Sequence, residues 1–243
     1  MAIRLSSMLW RSQSFLRCAI RGCSQTAAEP KISSSHGIAV KRKLGQPSSH
    51  THPFLMKEGE VTPGLTKQKY SARRNAVMAT VCASQMISDE KPMGDTWGQE
   101  REKQEHVVIV LGGEIAYMSE DIPYPFHQNN NFRYLSGFLE PNSCLIMETL
   151  PGRPHPEHKS TLLVPKRDPV KEMWNGSRSG IDGSLDLTGV HHTEEIEKLP
   201  DILSNFLSEK YTVWYDFDSK VNYNLHMEHL RPFLSEAYHR KMT

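Results

Sequence analysis

Twelve histidines, four cysteines and 28 carboxylates are spread over 243 residues, and few are spaced to hold a metal or pass a proton. His226 and His229 stand three apart with Glu228 between them. Two ligands on one helix still need a third from elsewhere. The pattern is also neither of the zinc-protease helix motifs, so a solvated helix face is the plainer reading. His155 and His158 in a Pro-containing loop, and His191-His192 beside an expected helix start, are read the same way. Asp216 and Asp218, two apart at a strand end, can point their carboxylates alike and hold a hard cation. Their commoner use is to begin the next helix, with Asp218 or Ser219 as the cap. Gly112-Gly113 lacks the spacing and the Lys of a phosphate loop, and no G-x-S-x-G segment occurs.

Charge and cysteine usage bound the class. The net charge of +1 divides into +7 over residues 1–43 and −6 over the remaining 200. A body of −6 is no nucleic-acid surface, which needs an excess of Lys and Arg. The longest pure apolar run, Val107 to Leu111, excludes a spanning helix. Cys18 and Cys23 lie near the start, while Cys82 and Cys144 lie in apolar surroundings and read as buried thiols. Four cysteines make no disulfide framework for this length. Arg4, Arg11, Arg17 and Arg21 alternate with Leu5, Met8, Leu9, Phe15, Leu16 and Ile20, and no acid precedes Glu29. That is the composition of a mitochondrial presequence, so residues 1–28 are expected to direct the chain to the matrix, with a cytosolic location as the alternative. Processing would remove Cys18 and Cys23, and Asn175-Gly176-Ser177 would then be a glycosylation acceptor in form only. Residues 29–43 read as a linker and 44–243 as one domain.

Within that domain, residues 44–65 carry Pro47, Pro53, Pro63, Gly45, Gly59 and Gly64 and read as extended and turned. Thr66 is the expected cap of a helix to about Ser84, and residues 85–105 a polar surface insertion. Val107–Leu111, Ser143–Leu150, Ser160–Val164 and Tyr211–Tyr215 read as strands. A short helix is expected over Asp168–Trp174 with Pro169 at its first position. Another is expected from a Thr193 cap through Glu194 and Glu195, kinked or restarted at Pro200. Residues 219–240 read as helical with a break at Pro232. Strands alternating with helices predict an α/β fold, a sheet flanked by helices.

Two stretches are too specific to be filler. Tyr117 to Pro141 sets six aromatics among Asp, His, Gln and three Asn; it is poor as helix or strand and suited to a rigid polar surface. Val164 to Gly180 places a Trp and two Arg beside glycines. A loop pinned by hydrogen bonds is the alternative for both. With Leu44-Gly-Gln-Pro47, Thr62-Pro-Gly64, Tyr70 and Arg73-Arg74, these stretches resemble aminopeptidase P. The motifs run in that family's order: Asp121-Ile-Pro-Tyr-Pro-Phe-His-Gln128, Asn131-Phe-Arg-Tyr-Leu-Ser-Gly-Phe-Leu-Glu-Pro141 and Arg167-Asp-Pro-Val-Lys-Glu-Met-Trp174. The departures are Lys69 before Tyr70, Asn175 where Asp is usual, and the long 85–105 segment.

The resemblance implies a creatinase-like α/β N-terminal domain with a mixed sheet, from a family whose second, pita-bread domain holds two manganese ions and removes an N-terminal residue preceding proline. That catalytic domain is expected to be absent from this chain, which would then bind no metal of its own and be inactive alone. The resemblance also implies that Asp121 and Trp174, with Arg178 as a further candidate, line the substrate mouth of a partner subunit for peptides with proline second. The expected partners are a second copy or the full-length aminopeptidase. Three readings stay open: a truncated aminopeptidase, a binding or oligomerisation module that modulates the enzyme, or an active enzyme with a site near His226 and His229.

Overall fold

The computed structural model describes residues 44–88, 104–208, 211–217 and 222–242. The expected presequence, linker and cap at Asp218 or Ser219 lie outside them, as do residues 89–103 of the expected insertion. In chain order the elements are β1 (Glu60–Thr62), β2 (Leu65–Thr66), α1 (Lys67–Ser88), β3 (Glu105–Leu111), β4 (Tyr117–Ser119), β5 (Ile122–Pro123), α2 (Asn130–Ser136), β6 (Cys144–Thr149) and β7 (His158–Val164). They continue as α3 (Pro169–Asn175), α4 (Gly180–Thr188), β8 (His192–Glu195), a 3-10 turn (Ile196–Lys198), α5 (Leu199–Ser208), β9 (Tyr211–Tyr215), α6 (Tyr223–Leu225), a π-helical turn (His226–Leu230) and α7 (Arg231–Met242).

Five strands form one mixed sheet in the order β8-β7-β6-β3-β9. β3 pairs antiparallel with β6 and parallel with β9, and β7 pairs antiparallel with β6 and parallel with β8. β3, an interior strand, is covered on both faces, which is why its sequence is apolar without alternation. On one face Val108, Leu145, Met147, Leu162 and Trp214 pack against Met78 and Val81 of α1, Phe132 and Leu135 of α2, and Leu187 of α4. On the other, Val107, Ile109, Ile146, Leu163 and Val213 pack against Leu199, Leu203 and Phe206 of α5 and Phe233 and Leu234 of α7. The result is a helix–sheet–helix sandwich. Among the described residues no helix is long and apolar enough to cross a membrane.

Local chemistry sets the boundaries. Thr66 Oγ1 accepts from Lys69 N at 3.4 Å and begins α1 as expected. Asp168 Oδ1 accepts from Val170 N at 3.0 Å and Lys171 N at 3.3 Å, with Pro169 at the position where a missing N–H is harmless. Thr193 caps nothing. It pairs with Leu162 in β8, its hydroxyl donates to Ile181 O at 3.0 Å, and Glu194 and Glu195 are strand residues. The helix begins only at Leu199, where Pro200 sits in a first turn that asks nothing of its nitrogen. Before Pro232 the helix widens into the π-helical turn, so the break falls just upstream of the proline, which itself lies in the first turn of α7. Cys82 and Cys144 are buried and free.

Candidate functional site

Strand directions place the two motif stretches together. β3 and β7 both run antiparallel to β6, so they run parallel to each other and end at one edge of the sheet. The segment after β3 carries Asp121, and the segment after β7 carries Trp174 and Arg178. Their origins are two strand spacings apart, about 10 Å. Asp216 follows β9, parallel to β3, and so lies at that same edge. Carboxyl ends of strands are where open α/β sheets present binding surfaces.

The first stretch is not a formless loop. β4 and β5 make a hairpin with Glu120 and Asp121 as its two-residue tip, and α2 follows at Asn130. The sequence reading missed α2 because its apolar face, Phe132 and Leu135, is set in a polar run. Its end signals were present: Asn129 Oδ1 accepts from Phe132 N at 2.8 Å, and Gly137 closes the helix at φ 70°. Tyr117, Met118, Ile122 and Tyr124 of the hairpin are exposed. Gln128 fastens its base: Oε1 accepts from Gly113 N at 2.6 Å and Asn129 N at 2.9 Å, and Nε2 donates to Glu140 O at 2.8 Å. A Cβ on Gly112 would lie 3.0 Å from Ser143 O, so Gly112 serves close packing.

A buried carboxylate joins the second stretch to the first. Glu140 Oε1 accepts from Ser179 N at 2.8 Å, and Gly45 N donates to Ser179 Oγ at 3.1 Å. Burial pushes the Glu140 carboxyl above the usual range, while its hydrogen bonds and the Arg178 charge act the other way. Arg178 therefore lies near Glu140 and helps hold its charge. From the same N-terminal motif, Gln46 Oε1 accepts from Leu139 N at 2.8 Å and its Nε2 donates to Gly137 O at 3.4 Å.

α3 stands apart from this bonded framework. It buries none of its residues, and Val170, Met173 and Trp174 are 66%, 77% and 84% exposed. The Arg167 guanidinium grips Glu172 through two bonds of 2.8 Å, which fixes the helix without covering it. Three large apolar side chains left in water on one short helix are an interaction feature.

The histidines sort differently from expectation. His226 is not a solvated side chain: its ring stacks on Tyr215 at 5.7 Å and its Nδ1 lies 3.0 Å from the Tyr215 hydroxyl. His229 Nε2 lies 3.8 Å from Glu228 Oε2. His158 Nδ1 lies 3.2 Å from Pro156 O, and His191 Nδ1 accepts from Ser160 N at 2.9 Å, near the buried Arg74. Among the described residues the one group able to surround an ion is Cys82, His106 and His155, from three distant segments. No local spacing in the sequence signals it.

The model of the family described as Aminopeptidase P, N-terminal domain, matches residues 70–214. The chain belongs to the aminopeptidase P family. It is 43% identical over 196 residues to Xaa-Pro aminopeptidase 3 of Homo sapiens, covering 81% of this chain and 36% of that protein. It is 24% identical over 207 residues to the mitochondrial intermediate cleaving peptidase 55 of Arabidopsis thaliana, covering 85% of this chain and again 36% of the relative. The crystal structure of Icp55 from Saccharomyces cerevisiae superposes with a TM-score of 0.53 at 26% identity, covering 70% of this chain and 34% of that one. The chain thus spans about a third of the relatives it matches, and what it matches is their N-terminal domain.

Manganese suits carboxylate, carbonyl and water ligands. The Cys/His/His group is a softer donor set and does not fit it, so no manganese step is assigned to the described residues.

Proposed function

We propose that this chain acts as the N-terminal domain of a manganese-dependent Xaa-Pro aminopeptidase and hydrolyses no peptide by itself. Residues 44–243 form the working domain, preceded by a presequence at 1–28 and a linker at 29–43 that carry it to the mitochondrial matrix. In this reading the hairpin and α3 line the entrance to a partner subunit's active site. Asp121 meets the charged amino terminus of a peptide with proline second, Trp174 packs on its apolar part, and Arg178 braces the loop through Glu140. The observation that carries the reading is Trp174, 84% exposed on a helix that buries nothing, at the sheet edge where Asp121 tips its hairpin. The catalytic metals belong to the part of the relatives that the match does not reach.

The same exposed residues favour a second reading, a non-catalytic module that pairs with the full-length enzyme, or with itself, and modulates it. Light scattering of the 243-residue chain, alone and mixed with a full-length Xaa-Pro aminopeptidase, tests both. A mixed or self-paired oligomer weakened by Trp174→Ala supports a partner-facing α3. A strict monomer that binds no enzyme refutes it.

A further inference from the structure

At the opposite end of the sheet, three chain segments bring a thiol and two imidazoles together. Cys82 comes from α1, His106 from the second residue of β3 and His155 from the turn between β6 and β7. One ligand atom of each lies within 4.8 Å of the others. Cys82 Sγ and His155 Nδ1 are 3.0 Å apart, and the two imidazole rings meet edge to face at 5.9 Å. Tetrahedral zinc, with bonds of about 2.3 Å to sulfur and about 2.0 Å to nitrogen, needs ligand atoms roughly 3.3–3.6 Å apart. Side-chain adjustments of about 1 Å close this group onto an ion. We propose that Cys82, His106 and His155 form a binding site for one Zn²⁺ ion.

Two unmet polar atoms point to a ligand there. His155 Nε2 is buried with no partner, so that nitrogen is free to turn to an ion. Glu105, the neighbour of His106, buries Oε2 with no partner, and its charge reaches the Cys82 thiol. An unpaired buried carboxylate oxygen is costly, and a nearby dication relieves it. On binding, the Cys82 proton leaves to solvent and the thiolate bonds to the metal, with water completing the coordination. Imidazole and thiolate are the donor types zinc prefers.

The geometry adds a reporter. Trp214 Nε1 donates to His106 Nδ1 at 3.2 Å, so the free protein keeps the His106 proton on Nε2. An ion on either His106 nitrogen displaces this arrangement, and the indole loses its acceptor. Zinc binding is therefore coupled to release of Trp214.

The test uses the 243-residue chain with Cys18→Ser and Cys23→Ser, titrated under reducing conditions with Co²⁺ and then Zn²⁺. One equivalent of cobalt should give a thiolate-to-metal charge-transfer band, displaced by one equivalent of zinc. A change in tryptophan emission should accompany it and be missing in Trp214→Phe. Cys82→Ser should abolish the band. His155→Ala, on a partly exposed turn, should weaken uptake without unfolding the chain, and His226→Ala should change nothing. No saturable uptake by the folded chain, or uptake unaltered in both Cys82→Ser and His155→Ala, overturns the proposal.

Discussion

Replacing Gly137 by Ala tests how closely the site's framework is packed. Gly137 closes α2 at φ 70°, a conformation that strains an L residue by about 1–2 kcal/mol. A Cβ there would stand 2.6 Å from Val61 Cγ1 and 2.8 Å from Tyr70 Cζ. Both neighbours are buried, and Tyr70 is further fixed by a 2.8 Å bond to Thr62 Oγ1, so neither can retreat. Overpacking of this kind adds about 1–3 kcal/mol. Gly152 is the control: φ is 76°, yet nothing lies within 4 Å of its Cβ position. Its Ala variant carries the backbone strain, partly offset by reduced freedom of the unfolded chain, for about 1 kcal/mol. Gly137→Ala should lose about 3 kcal/mol, and with about 2–4 °C per kcal/mol at this chain length its Tm should fall by roughly 6–12 °C. Gly152→Ala should fall by about 2–4 °C. Urea unfolding and thermal melts of the two variants against wild type give the comparison. Equal losses would mean that the steric term is wrong and that Val61 and Tyr70 yield freely.

Gln128→Ala strands Gly113 N and Glu140 O in a buried setting and should lose about 2–4 kcal/mol in urea unfolding. Trp174→Ala should change stability by less than about 0.5 kcal/mol, since the side chain touches water; a larger loss would place it in the fold. The acid limb should show the histidines whose charged form the fold disfavours. His106, His158 and His191 all have pKa values lowered chiefly by burial, so the unfolded chain takes up protons that the native state refuses. The stability they contribute is full above pH about 6.5 and is lost as pH falls toward about 4, the native value for His106. His106→Gln should flatten that limb in a pH series of denaturation midpoints; an unchanged slope would contradict the assignment.

Much of this was legible in the chain before folding. The four main strands and the α1 and α3 caps followed from β-branched runs, Thr66 and Asp168-Pro169, because each signal is local. Thr193 misled because the same Thr-Glu-Glu that suits a first helical turn also pairs as an edge strand, and the choice was made by the neighbouring β7. Helix α4 escaped because Gly180 and Gly183 weaken its pattern; Gly183 is needed where a Cβ would meet Leu44 at 2.8 Å. Asp121 and Trp174 were legible as motif residues, but their common sheet edge depends on strand directions. Cys82, His106 and His155 were invisible as a group, since only the fold joins segments that lie 24 and 49 residues apart.

The central claim is tested most directly by peptide turnover. The purified 243-residue chain, with added Mn²⁺ and a short Xaa-Pro peptide, should release no N-terminal residue, while a full-length Xaa-Pro aminopeptidase at the same molarity does. Sustained release by this chain, proportional to its concentration and absent from a mock preparation, would contradict the account.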